Sequence, residues 1–236
     1  MIMDKIQEHL SEFELYYSLL AEWNQKFNLT TVTDRDGVFT RHFADSIAAA
    51  EYIPQGAKVC DIGSGAGFPG LPLKIVRPDL SVTLFDSVNK KITFLTEVIA
   101  RLAACQGDST PSPVTLAIHS RAEDAGASAA YREQFDVALS RAVAPLPVLC
   151  EYALPLIKTG GLFIAYKTAA AANDEIKAAQ NALKILNGKV KQVVTYPVKV
   201  YGAETTAVMS LIIIEKTGPA PLKYPRGGNK PRLNPL

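Results

Sequence analysis

The sequence predicts an α/β fold in which helices cover both faces of a doubly wound, mostly parallel sheet. From residue 58 onward, short apolar segments typical of buried strands alternate with helical segments, the rhythm of right-handed crossovers in a parallel sheet. The first strand runs into a glycine-rich turn, and the last two strands are joined by a loop too short for a parallel crossover. With 236 residues and 48% hydrophobic side chains, the chain can bury a core of ordinary size.

Residues 1–56 predict an N-terminal helical extension in front of the sheet. Apolar side chains recur there every three or four residues, at Ile6, Leu10, Phe13, Tyr17 and Leu20. A second helix is expected over residues 38–52. The turn Pro54-Gln55-Gly56 marks the end of the extension.

The sheet domain is expected over residues 57–215. Its parallel strands are predicted at residues 58–62, 81–85, 114–118, 135–139 and 161–166. Residues 190–196 and 207–214 complete the sheet as antiparallel neighbours, since only a short loop around Gly202 connects them. Residues 216–236 form a tail with five basic and no acidic side chains, and its five prolines predict an extended rather than a packed chain.

Charge and cysteine usage exclude several classes of protein. The net charge of +2 predicts no polyanion partner by itself, but the extension carries −5 and the tail +5, so an interaction segment is to be sought at the two ends. Cys60, Cys105 and Cys150 lack the spacing of a disulfide frame or metal site, which indicates free thiols in a reducing cytosol. No apolar run reaches the ~18 residues of a membrane span. We therefore expect a cytoplasmic protein without metal or membrane contacts.

The most informative motif is the glycine-rich turn after the first strand, which reads Asp61-Ile62-Gly63-Ser64-Gly65-Ala66-Gly67-Phe68-Pro69-Gly70. Glycines at this place let the backbone approach a ligand closely. The dinucleotide fingerprint requires glycine at the sixth position, where this chain has Phe68. An acid before the loop and Asp86 at the end of the second strand instead favour S-adenosylmethionine, with Gly63, Gly65 and Gly67 beside it. A tight turn without a ligand is the alternative.

Two further positions at strand ends are candidates for holding the cofactor. Asp86 can accept hydrogen bonds from both ribose hydroxyls, or it can cap the helix that begins near Asn89. The Ala122 amide and the Glu123 carboxylate can read the adenine edge. Ser120 and Glu123 also have the spacing of a capping box, and either interpretation places this helix start at the crevice.

Ser140-Arg141-Ala142 ends the fourth strand, where a methyltransferase presents its acceptor. No Asn/Asp-Pro-Pro-Tyr follows to hold an exocyclic amine, and no Pro-Cys follows to attack a pyrimidine carbon. The simplest acceptor is then a ring nitrogen with a free lone pair, such as guanine N7, for which alignment suffices. Ser140 and Arg141 are the candidate catalytic residues. A structural ion pair is the alternative for Arg141.

Together these motifs resemble the bacterial RsmG, or glucose-inhibited division protein B, methyltransferases. That family methylates N7 of a guanine in 16S ribosomal RNA with S-adenosylmethionine. The resemblance rests on residues 24–30, 41–46, 61–72, 86–91, 121–123, 140–144 and 224–226, in family order over nearly the whole chain. It implies a Rossmann-like class I methyltransferase sheet of seven strands, the last antiparallel, with helices in front.

The resemblance also implies site residues. Cofactor contacts are implied at Gly63, Phe68, Ala122, Glu123 and Arg141. Candidate substrate contacts are His42, Asp45, Lys167, Tyr224 and Arg226, with Tyr224 available to stack on a base and Arg226 to meet a phosphate. A buried structural histidine and a solvated tail are the alternatives. The implied partner is 16S ribosomal RNA or the small subunit; the oligomeric state stays open, with a monomer favoured.

Two other functions remain open at the level of sequence. One is an NAD-dependent oxidoreductase, against which Phe68 in the glycine loop argues. The other is an RNA-binding scaffold that keeps the fold without the cofactor. Binding of S-adenosylmethionine, weakened by Asp86→Ala and absent for NAD, distinguishes the methyltransferase from both.

Overall fold

The structure, a computed structural model, describes residues 2–106, 113–199 and 206–236. Its strands are β1 Lys58–Ile62, β2 Ser81–Asp86, β3 Thr115–His119, β4 Phe135–Arg141, β5 Ile157–Thr168, β6 Gly188–Lys199 and β7 Thr206–Lys216. Its α-helices are α1 Ile2–Glu8, α2 Leu10–Asn24, α3 Arg35–Gly37, α4 Asp45–Ile47, α5 Gly70–Val76, α6 Asn89–Gln106, α7 Ala122–Ala127, α8 Leu146–Ala153, α9 Ala169–Ala178, α10 Gln180–Ile185 and α11 Lys230–Leu233. Over these ranges, no helix has the length and apolar character needed to cross a bilayer.

The seven strands form one sheet in the order β3-β2-β1-β4-β5-β7-β6. The first five are parallel, and β7 runs antiparallel to both β5 and β6, with Ile164 opposite Ile213. The predicted doubly wound α/β fold is therefore confirmed, including its antiparallel closing strand. The loop expected around Gly202 lies outside the described residues, as do residues 107–112.

The sheet separates two apolar cores because successive strand residues point to opposite faces. In β4, Val137 and Leu139 belong to the core beneath the N-terminal extension, whereas Ala138 belongs to the core beneath α8 and α10. All three side chains are fully buried. Burial on both faces explains why these parallel strands are apolar without alternation.

The extension packs on the sheet through aromatic side chains. Phe13 of α2 contacts Phe43 with ring centroids 4.8 Å apart, and Phe43 contacts Tyr16 at 5.2 Å. The single helix expected over residues 38–52 is instead a π-helix at Val38–Ala44, the short α4 and a 3-10 helix at Ala50–Tyr52. The wider π-helical turn lies in the stretch that carries His42.

The tail packs against the domain, so the prediction that it is extended and unpacked is wrong. Arg132 donates to the carbonyls of Ala220 at 2.8 Å and Tyr224 at 2.7 Å. Arg226 pairs with the fully buried Glu151 through two side-chain bonds of 2.9 and 2.6 Å. Prolines remove backbone donors but leave carbonyls, and here an arginine side chain satisfies those carbonyls.

Replacing Arg132 by alanine should release the tail. The Arg132→Ala variant removes several hydrogen bonds to tail carbonyls and should lower the free energy of unfolding by about 2 kcal/mol. Amide hydrogen exchange over residues 219–226 should speed up, measured by mass spectrometry. Arg101→Ala, at an exposed position of α6, is the control. Unchanged exchange in the tail would contradict this account.

Candidate active site

A crevice of about 280 Å³ lies at the carboxyl ends of the parallel strands, where open α/β sheets bind ligands. We call it the strand-end crevice. It is lined by the loops after four strands, at Gly63 after β1, Asp86 at the end of β2, Glu123 after β3 and Val143 after β4. Four of the predicted cofactor residues, Gly63, Asp86, Ala122 and Glu123, therefore share one cavity.

Gly63, in the first half of the glycine loop, lines this crevice, whereas Gly65 is outside the lining residues. Gly63 has φ 68° and Gly65 φ 59°, the left-handed region that glycine adopts without a steric penalty. A Cβ on Gly63 would lie 2.6 Å from Val143 Cγ2, so only glycine allows the two loops to pack. A Cβ on Gly65 would lie no nearer than 3.9 Å to any atom. The backbone at Gly65 therefore borders open space in which a ligand can approach it.

The second half of the loop faces the N-terminal extension instead. A Cβ on Gly67 would lie 2.7 Å from Leu71 Cδ1 and would also collide with the Tyr16 hydroxyl. That hydroxyl donates to the carbonyl of Ala66. The ring of Phe68 stacks on His42 at 4.6 Å. Gly67 and Phe68 are outside the residues that line the strand-end crevice, and they join the loop to the extension.

Asp86 holds the loops together while it lines the crevice. Its Oδ2 accepts from the Gly65 amide at 2.9 Å, and its Oδ1 accepts from the Val88 amide at 2.9 Å. Lys91 Nζ lies 3.5 Å from Oδ2. The side chain is 5% exposed, so both the expected ribose contact and the alternative role at the start of α6 agree with its position.

Glu123 lies at the same end of the crevice without forming a capping box. The Ser120 hydroxyl donates to the carbonyl of Arg121, and no side chain caps the start of α7. The Glu123 carboxylate is buried and lies 3.6 Å from the guanidinium of Arg121. Its acceptor oxygens thus border a cavity, as a contact with an adenine amino group requires.

Asp61 is a fully buried acid directly beneath the glycine loop. Its Oδ2 accepts from the Gly70 amide at 2.9 Å, whereas its Oδ1 has no hydrogen-bond partner. Burial raises the pKa of Asp61 to about 7, and the nearby Asp86 adds to the rise, against the opposing effects of the Gly70 amide and Arg141. Three acids near one cavity fit a ligand with hydroxyl and amino donors and a positive charge, which describes S-adenosylmethionine.

Arg141 joins the end of β4 to the extension. Its Nη1 donates to Asp45 Oδ2 at 2.8 Å, and Asp45 Oδ1 accepts from the Tyr196 hydroxyl at 2.7 Å. Its guanidinium lies 5.1 Å from the centroid of the Phe68 ring. The ion pair named as the alternative role of Arg141 is therefore present, and it places the guanidinium beside the glycine loop.

His42 is a neutral histidine within this network. Its Nε2 lies 2.8 Å from Thr30 Oγ1, and its Nδ1 lies 3.4 Å from Arg141 Nη2. Since an arginine only donates, Nδ1 must be the acceptor and Nε2 carries the proton. Burial first and the charge of Arg141 second lower the pKa of His42 to about 4. The imidazole positions Arg141 and is not free to accept a proton.

Comparison with known proteins decides the family. The model of the family described as "rRNA small subunit methyltransferase G", also called GidB, matches residues 9–200. The chain belongs to this family. The "Ribosomal RNA small subunit methyltransferase G" of Bacillus velezensis is 45% identical over 229 residues, which cover 96% of this chain and 90% of that protein. The protein of the same name from Staphylococcus carnosus is 42% identical, and the alignment covers 100% of this chain and 97% of that protein. The resemblance inferred from the sequence is thus confirmed.

Solved structures share the fold of this methyltransferase G family member. M. jannaschii TYW2, in complex with AdoMet, superposes with a TM-score of 0.58 over 79% of each chain at 12% identity. A precorrin-6y C5,15-methyltransferase from Geobacter metallireducens superposes with a TM-score of 0.51 at 12% identity. The superposition covers 74% of this chain and 87% of the methyltransferase chain. These similarities support the fold of the sheet, and they carry no information on which atom accepts the methyl group.

Several residues expected at the site of the methyltransferase lie elsewhere. The Ser140 hydroxyl is fully buried, donates to the carbonyl of Ile62 at 3.3 Å and is not among the residues that line the crevice. Tyr224 is 7% exposed and Arg226 is paired with Glu151, so neither is available to RNA in this packing. Lys167 is held by Glu175 at 2.7 Å and by the carbonyl of Ala144 at 2.8 Å.

The structure also brings in residues that the sequence interpretation missed. Ala142 has φ 57°, an uncommon conformation for a residue with a Cβ, directly after Arg141 on the crevice wall. The Tyr16 hydroxyl holds the glycine loop by donating to the carbonyl of Ala66. Asn229 and Arg232 of the tail line the crevice. No local pattern marks such roles, because the partners lie far away along the chain.

Replacing Asp61 by asparagine should remove a pH dependence of stability. A pKa raised from 3.8 to about 7 means that the native state holds more protons than the unfolded state between these values. The free energy of unfolding of the wild type should therefore fall, relative to Asp61→Asn, by up to about 1.4 kcal/mol per pH unit between pH ~4 and ~7. Above pH ~7 the two profiles should run parallel. Urea titrations at each pH measure this, and parallel profiles throughout would contradict it.

Proposed function

We propose that this chain transfers the methyl group of S-adenosylmethionine to N7 of a guanine in 16S ribosomal RNA. The observation that carries the proposal is the strand-end crevice, in which Gly63, Asp86 and Glu123 stand where a nucleoside with a cationic sulfur can be held. Membership of the methyltransferase G family supplies the reaction class and the kind of RNA. The acceptor atom rests on the chemistry of the residues around the crevice.

Different residues of the crevice are assigned to the ribose and to the adenine of the cofactor. Asp86 would accept from the ribose hydroxyls, and the Glu123 carboxylate and the Ala122 amide would hold the adenine edge. Bound there, the cofactor supplies an electrophilic methyl group on a sulfonium sulfur. Gly65 leaves space for the rest of the molecule over the loop. Asp61, once ionised, favours the positive charge through its electrostatic field.

N7 of guanine is the acceptor that needs least help from these side chains. Its lone pair would form the new nitrogen–carbon bond and the electron pair of the broken carbon–sulfur bond would remain on sulfur, so the protein would not need to move a proton. His42 is neutral and engaged by Thr30 and Arg141, which leaves it unsuited to act as a base. The chain's role is to align donor and acceptor, which accounts for a large part of such rate enhancements.

A covalent route through cysteine does not fit the described part of the chain. Cys60 and Cys150 are fully buried. Burial raises the pKa of both thiols, which keeps them protonated and unreactive. Cys105 is exposed on α6, at the far end of that helix from Asp86. Direct transfer to a nitrogen lone pair requires none of these groups.

Arg141 is the positioning residue that connects the extension to the site. Its ion pair with Asp45 fixes the π-helix against β4, and its guanidinium packs on Phe68 of the glycine loop. His42, Asp45 and Arg141 together form a network beside Phe68 of the glycine loop, outside the residues that line the crevice. We place the acceptor guanine next to this network, where Arg141 would help to align it with the cofactor.

The test is to map the methylated atom. Unmethylated 16S RNA, alone or in small subunits, is incubated with the protein and S-adenosylmethionine, and the RNA is then reduced with borohydride and treated with aniline, which cleaves at N7-methylguanine. We expect a single cleavage that requires the cofactor and that is strongly reduced for Arg141→Ala. Methyl incorporation without aniline cleavage would place the methyl group on another atom.

Replacing Gly65 by valine should abolish cofactor binding in a protein that still folds. Valine at φ 59° adds strain of about 1–2 kcal/mol and projects its side chain into the space expected for the ligand. Gly160→Val is the matched control, since Gly160 also has a left-handed φ of 84° and open space around its Cβ. Calorimetric titration with S-adenosylmethionine should show binding to the control alone. Unchanged affinity in Gly65→Val would refute the assignment of the loop.

A further inference from the structure

The tail contributes part of the wall of the strand-end crevice. Asn229 and Arg232, which follow the sheet in sequence, line this cavity together with Asp86 and Glu123. Arg232 Nη2 donates to the carbonyl of Val143 at 3.2 Å, and Arg121 Nη1 donates to Asn229 Oδ1 at 3.4 Å. The tail thus bridges the loop after β3 and the loop after β4.

This bridge is built on buried anchors that do not line the crevice. Arg226 pairs with the fully buried Glu151, and its Nη2 also donates to the carbonyl of Asn234 at 2.9 Å. Arg132 holds the carbonyl of Tyr224 from the domain side. Anchors on both sides of α11 keep Arg232 at the crevice. Their geometry explains why a segment of high proline content is ordered here.

We propose that the tail is a cofactor-binding element and that Arg232 contacts the nucleoside end of S-adenosylmethionine. The inference rests on the proposed function, and it assigns to the tail a ligand other than RNA. Arg232 lines the same cavity as the candidate adenine and ribose residues Glu123 and Asp86. A planar guanidinium can stack on an aromatic base and can donate to its ring nitrogens. Arg121 and Arg232 flank this cavity, so the buried acid Glu123 is balanced by positive charge at its rim.

Docking of the tail and binding of the cofactor must then favour each other. A ligand that contacts only the docked form raises the ratio of docked to undocked tail by a factor of one plus the ligand concentration over its dissociation constant. S-adenosylmethionine should therefore slow amide exchange over residues 226–234. Conversely, a variant that loosens the tail should bind the cofactor more weakly although its crevice residues are intact.

The experiment compares Arg232→Ala with Lys230→Ala, which removes an exposed cation of the same short helix that does not line the crevice. Calorimetric titrations use S-adenosylmethionine and 5′-methylthioadenosine, a nucleoside without the amino-acid end. We expect Arg232→Ala to weaken both ligands equally, by about threefold to tenfold. Lys230→Ala should keep the affinity of the wild type. Thermal melting without ligand checks that both variants are folded.

The anchor variant Arg132→Ala gives an independent arm, since Arg132 lies outside the crevice. It should weaken S-adenosylmethionine binding and abolish the slowing of exchange over residues 226–234. The inference is overturned if Arg232→Ala binds S-adenosylmethionine with wild-type affinity, or if the cofactor does not change amide exchange in the tail. Neither result would contradict the proposed function. A wild-type protein that binds no S-adenosylmethionine overturns both.

Discussion

The buried ion pair between Arg141 and Asp45 is the interaction on which the site depends. Removing two charges from water is costly, and such a pair persists only when its remaining hydrogen bonds are satisfied. Here Asp45 also accepts from Tyr196, and Arg141 also donates to the carbonyls of Arg41 and His42, at 3.3 and 3.4 Å. The geometry of the end of β4 is therefore tied to that of the extension.

This pairing makes the extension a part of the site rather than an addition to it. Gly63, in the first half of the glycine loop, lines the crevice. The second half is held by the Tyr16 hydroxyl and by the stacking of its Phe68 ring on Tyr16 and His42. A loop with glycines in left-handed conformations is intrinsically permissive, so contacts from outside must define its shape. The extension supplies these contacts to the second half of the loop. They also restrict the conformation of the first half, which carries Gly63.

The tail is held at the strand-end crevice in a similar way, by a buried ion pair and by hydrogen bonds from an arginine side chain. Arg226 and Glu151 form a second buried pair, and Arg132 satisfies carbonyls that the prolines leave without partners. The tail therefore reaches the strand-end crevice, whereas the N-terminal extension contacts the second half of the glycine loop. Of the five basic side chains of the tail, Lys216 and Arg226 form internal ion pairs and Arg232 lines the crevice, whereas Lys223 and Lys230 are exposed.

The sequence by itself determined the strands, the glycine loop and the acids at the strand ends, because periodicity and turn chemistry are properties of neighbouring residues. Asp86, Ala122 and Glu123 could be placed at the crevice since the carboxyl ends of parallel strands share one edge. Only the tertiary structure decided that Ser140 is sealed within the sheet, that Arg226 is internal and that Arg232 reaches the crevice. Whether a polar side chain is free or paired depends on partners far along the chain, such as Glu151 for Arg226, and no local pattern encodes their approach.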